Sequence, residues 1–407
     1  MAEPQSNGRA LAELLEKAYA TPATFADQVL PRIRQNVPEA VPVLLSAFDG
    51  SNAVAKGLVA DLFRGPLKEF APGALLGQLD ERHPDRFIQA AQILADLRHA
   101  PAVEPLIRAL SARAIPVAVA SLKALMTFAT PAAFQALTEL LLTCPDEVKL
   151  AAAERVLAPA ADILSPELLK RYDALDTARK AWILKFLAEA GAVQALPRFV
   201  AALEQDPLGV GLYGVKGLGC VGTAEAIAVL DKHLAHPEWF LRKRIVEALG
   251  QAKAPNAVAS LVRALADPSV QVRSGAIEAL SKVGHLDIPL LIDRLEKGDR
   301  DLKVHLIRVM GQVRDRRLLE PMVRTLADRS MLVFSLDALG DLGFAEAAGP
   351  IERFLTDKEW FNRLNAIEAL GKLPLPNLYA IAERLLEDEN DMVRNSARRI
   401  MAKTARA

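Results

Sequence analysis

The strongest constraint in this chain is a period. The tetrapeptide EALG occurs at 247–250 and again at 368–371, with EALS at 278–281, RVMG at 308–311 and DALG at 337–340 between them. One apolar position therefore recurs at Leu249, Leu280, Met310, Leu339 and Leu370, in steps of 31, 30, 29 and 31 residues. Counting back, the same position lands on Leu218, Leu187, Leu157, Leu125 and Leu94. A period of this length marks a stacked-repeat architecture, because each unit carries an apolar face that only a neighbour can cover.

The stretch 258–287 shows what one unit holds. VASLVRAL has apolar residues at helical spacing and reads as a first helix. Asp267, Pro268 and Ser269 make a break, with Asp267 and Ser269 as capping residues and Pro268 suited to a first helical position. VQVRSGAIEALSKVG then reads as a second helix, apolar at Val272, Ala276, Ile277, Leu280 and Val283, with Gly284 as its stop. The composition agrees: half of the residues are hydrophobic but only 5% are aromatic, an Ala- and Leu-rich balance that favours helix.

The segment LADPSVQVRSGAIEALSKVG resembles a HEAT repeat, of the short kind named after phycobilisome lyases. The frame recurs as LAHPEWFLRKRIVEALGQA at 234–252, LTDKEWFNRLNAIEALGKL at 355–373 and LLEDENDMVRNSARRIM at 385–401. The resemblance implies an all-α solenoid, a superhelix of about eleven or twelve stacked antiparallel helix pairs. Residues 1–36 are expected to cap the array, 37–195 to form degenerate repeats and 196–403 regular ones with a C-terminal cap, all in one continuous solenoid. HEAT arrays serve many tasks, so the resemblance speaks to fold more than to function.

Helical periodicity divides each second helix into two stripes. Positions four, three and zero before the repeating leucine, and three after it, should be buried. Positions five and two before it should face solvent on the concave side. The minus-two positions are Lys123, Arg155, Lys185, Lys216, Glu247, Glu278, Arg308, Asp337 and Glu368, basic early and largely acidic later. Such a ladder is either a solvated face with weak ion pairs such as Lys216 with Glu247, or a two-signed docking surface. The minus-five positions are Trp182, Tyr213, Arg244, Gly275, His305, Phe334 and Asn365. Trp, Tyr and Arg are the residue types that anchor interfaces. A partner-binding face is therefore expected at Trp182, Lys185, Tyr213, Lys216, Arg244, Glu247, His305, Arg308, Phe334 and Asp337.

Three other features compete for attention. Glu238-Trp239-Phe240 and Glu359-Trp360-Phe361 open two second helices 121 residues apart, and their register puts the tryptophan against the previous helix. The unit 326–340 is two residues short before its leucine, so Leu332 stands where Arg273 stands elsewhere and Met331–Phe334 form an apolar run that could be uncovered. GVGLYGVKGLGCVG at 209–222 matches G-x-G-x-x-G twice. A dinucleotide fingerprint needs a strand before it. Here the preceding ALPRFVAALEQDP is a helix and a turn, and the repeat frame sets Gly214, Gly217 and Gly219 where small residues recur. Extra glycines cost a helix roughly 1 kcal/mol each, so this one is expected to be a hinge or a closely packed seam.

Little points to chemistry. The formal net charge is zero, with fifty basic and fifty acidic side chains, so no bulk field draws polyanions and nucleic acid is not an expected partner. Two separated cysteines, Cys144 and Cys220, make neither a disulfide framework nor a zinc site. His233 and His236 lack a third ligand and read as a surface pair. No run is long and apolar enough to span a bilayer, and the first residues do not read as a secretory signal, so a cytoplasmic protein is expected. No cofactor, metal or small-molecule substrate is expected. The leading expectation is a non-enzymatic scaffold or adaptor that binds a protein along the concave face. Two alternatives follow from resemblance alone: a bilin lyase-like, chromophore-handling subunit, and a DNA glycosylase-like HEAT protein that binds nucleic acid with Trp182 and the basic ladder.

Overall fold

A computed structural model describes residues 30–35, 37–49, 53–283 and 286–404. The expected N-terminal cap falls largely outside the described residues, as do Gly284 and His285. Every regular element among the described residues is helical. The chain divides into two compact units, Met1–Gln194 and Ala195–Ala407.

The second unit is a clean alternation of short first helices and longer second helices. The first helices are Leu196–Gln205, Ala224–His233, Ala257–Ala264, Ile288–Lys297, Leu319–Thr325, Ala348–Glu352 and Leu378–Glu383. Between and after them run Gly211–Val221, Trp239–Ala252, Val270–Lys282, Arg300–Gly311, Leu332–Leu342, Trp360–Leu370 and Asp391–Thr404. The first unit repeats the scheme less regularly, with second helices Ala53–Arg64, Pro84–Asp96, Ile115–Phe128, Glu147–Leu157 and Thr177–Glu189. Breaks follow local chemistry. Thr130, Asp146, Asp176, Thr223, Asp287 and Asp299 cap helices by accepting from backbone N–H groups of the first turn. Proline sits in the first turn of several helices, as at Pro84, Pro131 and Pro289.

The repeating leucine position is the axis of the core. Leu94, Leu125, Leu157, Leu187, Leu218, Leu249, Leu280, Met310, Leu339 and Leu370 are all fully buried. Each contributes about 1.5–3 kcal/mol relative to an exposed side chain. The positions four and three before are buried with them, for example Ile245 and Val246, Leu306 and Ile307, Ala366 and Ile367.

The positions immediately before and after the leucine decide how successive second helices meet. A helix turns about 100° per residue, so these two flank the buried stripe on opposite sides. In the second unit the residue before is usually Ala and the residue after usually Gly. A Cβ placed on Gly219 would lie 2.8 Å from that of Ala248, and one on Gly311 would lie 2.8 Å from that of Ala338. Gly340 meets the Cα of Ala369 at 2.9 Å in the same sense. Adjacent second helices therefore touch almost backbone to backbone. One step lacks both halves of the device: Ser281 follows Leu280 and Val309 precedes Met310, so Val270–Lys282 meets Arg300–Gly311 without the glycine–alanine contact, while at the last step Gly371 meets the Ile400 side chain instead of an alanine.

The glycine-rich stretch is the closest-packed form of this rule. It is the helix Gly211–Val221, ended by Gly222 in the left-handed region at φ 60°. Added Cβ atoms would meet the carbonyl oxygen of Asp206 at 2.5 Å from Gly211, that of Phe199 at 2.5 Å from Gly214, and the Phe199 ring at 2.6 Å from Gly217. The glycines let this helix bed into Leu196–Gln205 and onto Trp239–Ala252. The geometry holds the close packing that one of the two expectations requires.

Candidate functional site

The outward stripe of the second helices follows from the same angular arithmetic. Positions two, five and nine before the leucine fall within one narrow sector, opposite the core. In the second unit this stripe carries Phe240, Arg244 and Glu247 on one helix, then Glu278, then His305 and Arg308, then Phe334 and Asp337, then Phe361, Asn365 and Glu368. Because successive second helices lie against one another, the stripes form a sheet of side chains facing away from the first helices.

Each expected site residue can now be placed. In the first unit Trp182 is half-buried and stacks on the buried Phe186, with ring centroids 5.7 Å apart and planes 3° from parallel. The Arg179 guanidinium lies 6.0 Å from the Trp182 ring centre. Lys185 is paired with Glu154 at 3.0 Å. Burial pushes the Glu154 carboxyl up, the neighbouring Glu189 adds to the shift, and Lys185 opposes it.

In the second unit Tyr213 is half-buried and Lys216 exposed. Arg244 and Glu247 are exposed and paired at 2.9 Å, and the Arg244 guanidinium lies 5.2 Å from the Phe240 ring centre. Glu247 also meets Lys243 at 3.6 Å, so its ion pairs stay within its own helix and do not reach Lys216. His305 is half-buried, and burial, with Arg273 and Arg308 nearby, holds its pKa below the usual value. Arg308 and Asp337 are exposed. Asp337 joins Asp341 in holding Lys372, at 2.6 and 2.7 Å. Phe334 is 44% exposed.

Two expectations about exposed apolar residues need correction. The tryptophans of the repeated Glu-Trp-Phe motifs are not buried core residues. Trp239 is 44% exposed and Trp360 42%, and Phe240 and Phe361 are exposed beside them. Each pair is edge-to-face at 6.2 Å, with interplanar angles of 87° and 85°. The tryptophan is the first residue of its helix, where no preceding turn exists to cover it. The signal for the outward phenylalanine was present: it lies four residues before Arg244 or Asn365, on the same stripe. The second correction concerns Met331–Phe334. Met331 and Leu332 are buried, and only Phe334 is exposed.

Beneath the stripe lies a set of buried ion pairs. Asp267 is not a helix cap. Its carboxylate receives Arg242 through Nε at 2.7 Å and Nη2 at 2.9 Å, and accepts from the Ser269 backbone N–H. Arg363 grips Asp388 in the same two-pronged way, at 2.7 and 2.8 Å. Both arginines spend Nη1 on two carbonyls of their own turn: His236 and Pro237 for Arg242, Asp357 and Lys358 for Arg363. All four charged side chains are about nine-tenths buried. Each pair ties a second helix to the turn of the next repeat. Arg329 reaches Asp357 from a turn where Leu332 has replaced the arginine.

Chemistry sites are sparse. Among the described residues no group of three or more His, Cys, Asp or Glu side chains could hold a metal. His233 Nδ1 is within 2.9 Å of the Val229 carbonyl, and His236 Nδ1 accepts from the Glu238 N–H, so each serves its own turn. Among the described residues no helix is long and apolar enough to cross a membrane.

A family model for HEAT repeats matches residues 74–158, 232–287 and 333–402, just over half of the chain. No curated protein matches the sequence. Solved structures of the karyopherin Kap121p share the fold. The complex with the extreme C-terminus of the protein phosphatase Cdc14p aligns with TM-score 0.54 at 13% identity, over 100% of this chain and 55% of that one. Kap121p bound to Nup53p gives TM-score 0.53 at 13% identity, over 100% and 55%. Kap121p bound to the SUMO protease Ulp1p gives 0.53 at 13%, over 100% and 54%. The chain thus spans about half the length of these structures, and the likeness is one of fold.

Proposed function

The chain belongs to the HEAT-repeat family, and on that premise we propose that it is a scaffold or adaptor which binds a protein partner along the outward stripe of its second helices. The observation that carries the reading is the composition of that stripe. Exposed Phe240, Phe334 and Phe361 stand among Arg244, Glu247, Arg308 and Asp337, so aromatic anchors alternate with charges of both signs. Aromatic rings and arginine supply most of the binding energy in protein interfaces, and two-signed charge fixes register. Tyr213 and Lys216 extend the same composition on an earlier repeat of the second unit, and Trp182 and Lys185 carry it separately on the first unit. The solved structures of Kap121p, bound to the extreme C-terminus of Cdc14p and to Nup53p, support the reading by analogy of fold.

The mechanism is additive. Many weak contacts spread over several repeats sum to useful affinity, and small rotations between repeats adapt the surface to its partner. Affinity capture with the wild type is compared with a Phe240→Ser/Phe334→Ser/Phe361→Ser variant and a Trp182→Ala/Tyr213→Ala/Arg244→Ala variant. Captured proteins are then purified and titrated directly. Loss of direct binding in either variant supports this face; a partner bound equally by all three proteins removes it.

A further inference from the structure

Two steps of the second unit carry this buried arginine–aspartate pair, and at a third the arginine is present without its aspartate. Arg273 occupies the frame position of Arg242 and Arg363, and its Nη1 donates to the Asp267 and Pro268 carbonyls as theirs do to their own turns. Its Nε and Nη2 have no acceptor among the described residues. The reason lies one repeat ahead. Asp267 stands thirteen residues before Leu280 and Asp357 thirteen before Leu370; thirteen before Met310 stands Lys297. The aspartate has been replaced by a cation, and Lys297 turns away to pair with Asp293 in its own helix.

The gap is open. Arg273 lines a cleft of about 450 Å³ between Asp267–Pro268 and the start of Arg300–Gly311, with His305 and the exposed Phe334 on its far side. The acidic side chains around it are already engaged. Asp267 holds Arg242, Asp299 accepts from the Leu302 N–H, and Asp301 meets Arg300 at 3.6 Å. It is the same step that lacks both halves of the glycine–alanine contact.

From this geometry we infer that the cleft at Arg273 is a binding site for a carboxylate side chain of an acidic partner peptide, which supplies the aspartate that Lys297 replaced. The guanidinium is held by its two carbonyls in the orientation that grips a carboxylate at the two equivalent steps, so no ordering of Arg273 is needed on binding. A planar carboxylate matches the paired Nε–H and Nη2–H donors. Phe334 gives an apolar neighbour to the flanking residue. The inference rests on the protein-binding reading above and narrows it to one anchor.

The test uses the full chain and a fluorescein-labelled peptide LEDENDMV, the sequence of 386–393, which carries the aspartate that Arg363 grips in this protein. A second peptide replaces every Asp and Glu by Asn and Gln, and a third carries phosphoserine in place of the central Asp. Anisotropy should show saturable binding of the acidic peptide and about tenfold weaker binding of the amide peptide. Arg273→Gln should abolish binding, and Arg273→Lys should weaken it about tenfold, because an ammonium cannot form the two-pronged contact. Lys297→Asp should restore the internal pair, raise the melting temperature and exclude the peptide. Circular dichroism checks that each variant is folded. Absence of binding, or binding unchanged by Arg273→Gln or Lys297→Asp, overturns the inference. Tighter binding of the phosphoserine peptide than of the acidic one overturns the choice of carboxylate. Loss of this peptide site with capture of a partner intact sinks the anchor while leaving the wider docking face standing.

Discussion

Gly250 and Ala279 lie so close across two successive second helices that a Cβ on the glycine would stand 2.6 Å from that of the alanine. Real Cβ atoms do not approach so nearly, and the neighbouring atom is attached directly to backbone. Gly250→Ala must therefore push the two helices apart, at a cost of about 1–3 kcal/mol. Ala279→Gly in the same chain should recover some of the loss. Gly57 gives the opposite case: it sits within the helix Ala53–Arg64 with nothing within 4 Å of an added Cβ. Gly57→Ala should stabilise by about 0.5–1 kcal/mol. Urea unfolding of the four proteins measures both signs.

The buried pairs and the open step should separate in the same experiment. Arg363→Ala leaves Asp388 buried without its cation and should cost about 3 kcal/mol. Arg273→Ala strands no carboxylate and should cost less than about 1.5 kcal/mol, the worth of its carbonyl contacts. Equal losses would mean that Arg273 is structurally paired after all.

These pairs also set an acid limit. Hydrogen bonds from Arg363 hold the Asp388 carboxyl below 3.8; at Asp267 burial pushes upward but Arg242 and the Ser269 N–H outweigh it, so it too is depressed. A depressed folded pKa means that the unfolded chain binds protons first on acidification. The stabilisation is thus full above the usual carboxylate value and is lost as pH falls through the depressed values. Urea midpoints measured between about pH 6 and about pH 3 should fall steeply for the wild type and less for an Arg242→Ala/Arg363→Ala variant, which has no such pairs left to lose.

Amide exchange should find Gly211–Val221 well protected. Its glycines are each filled by a neighbour's backbone or ring, so local opening must break packing on two sides. Protection equal to that of Trp239–Ala252 is expected, and rapid exchange confined to 211–221 would restore the hinge.

The Glu-Trp-Phe pairs should matter for binding and not for folding. Trp239→Ser/Phe240→Ser should change stability by less than about 1 kcal/mol, since both rings lie at the surface and outside the core. Phe199→Ala, at a fully buried ring, should cost about 3–5 kcal/mol. Thermal melts compare the two directly.

The fold was legible because one period governs everything it needs. The spacing from Leu94 to Leu370 located one fully buried position in each repeat, and the minus-five and minus-two positions do come out half-exposed or exposed. What the period could not convey is distance. Alanine and glycine around Leu249 look like filler in a sequence, yet they set the separation of the helices. Trp239 looks like core by residue type, and its exposure follows only from its place at a helix start. Asp267 looks like a cap, and its real partner, Arg242, lies 25 residues away in sequence, where local pattern has no purchase.

Those 25 residues carry a kinetic consequence. Arg242 with Asp267 and Arg363 with Asp388 each span less than one repeat, and Lys185 with Glu154 spans 31 residues. Stabilising contacts of this reach close as soon as the next unit has left the ribosome. Low contact order makes folding fast and local, so each unit can be completed on a nascent chain before later ones exist. Synthesis and folding then advance together along the array, and an exposed apolar face is left waiting for the length of a single repeat.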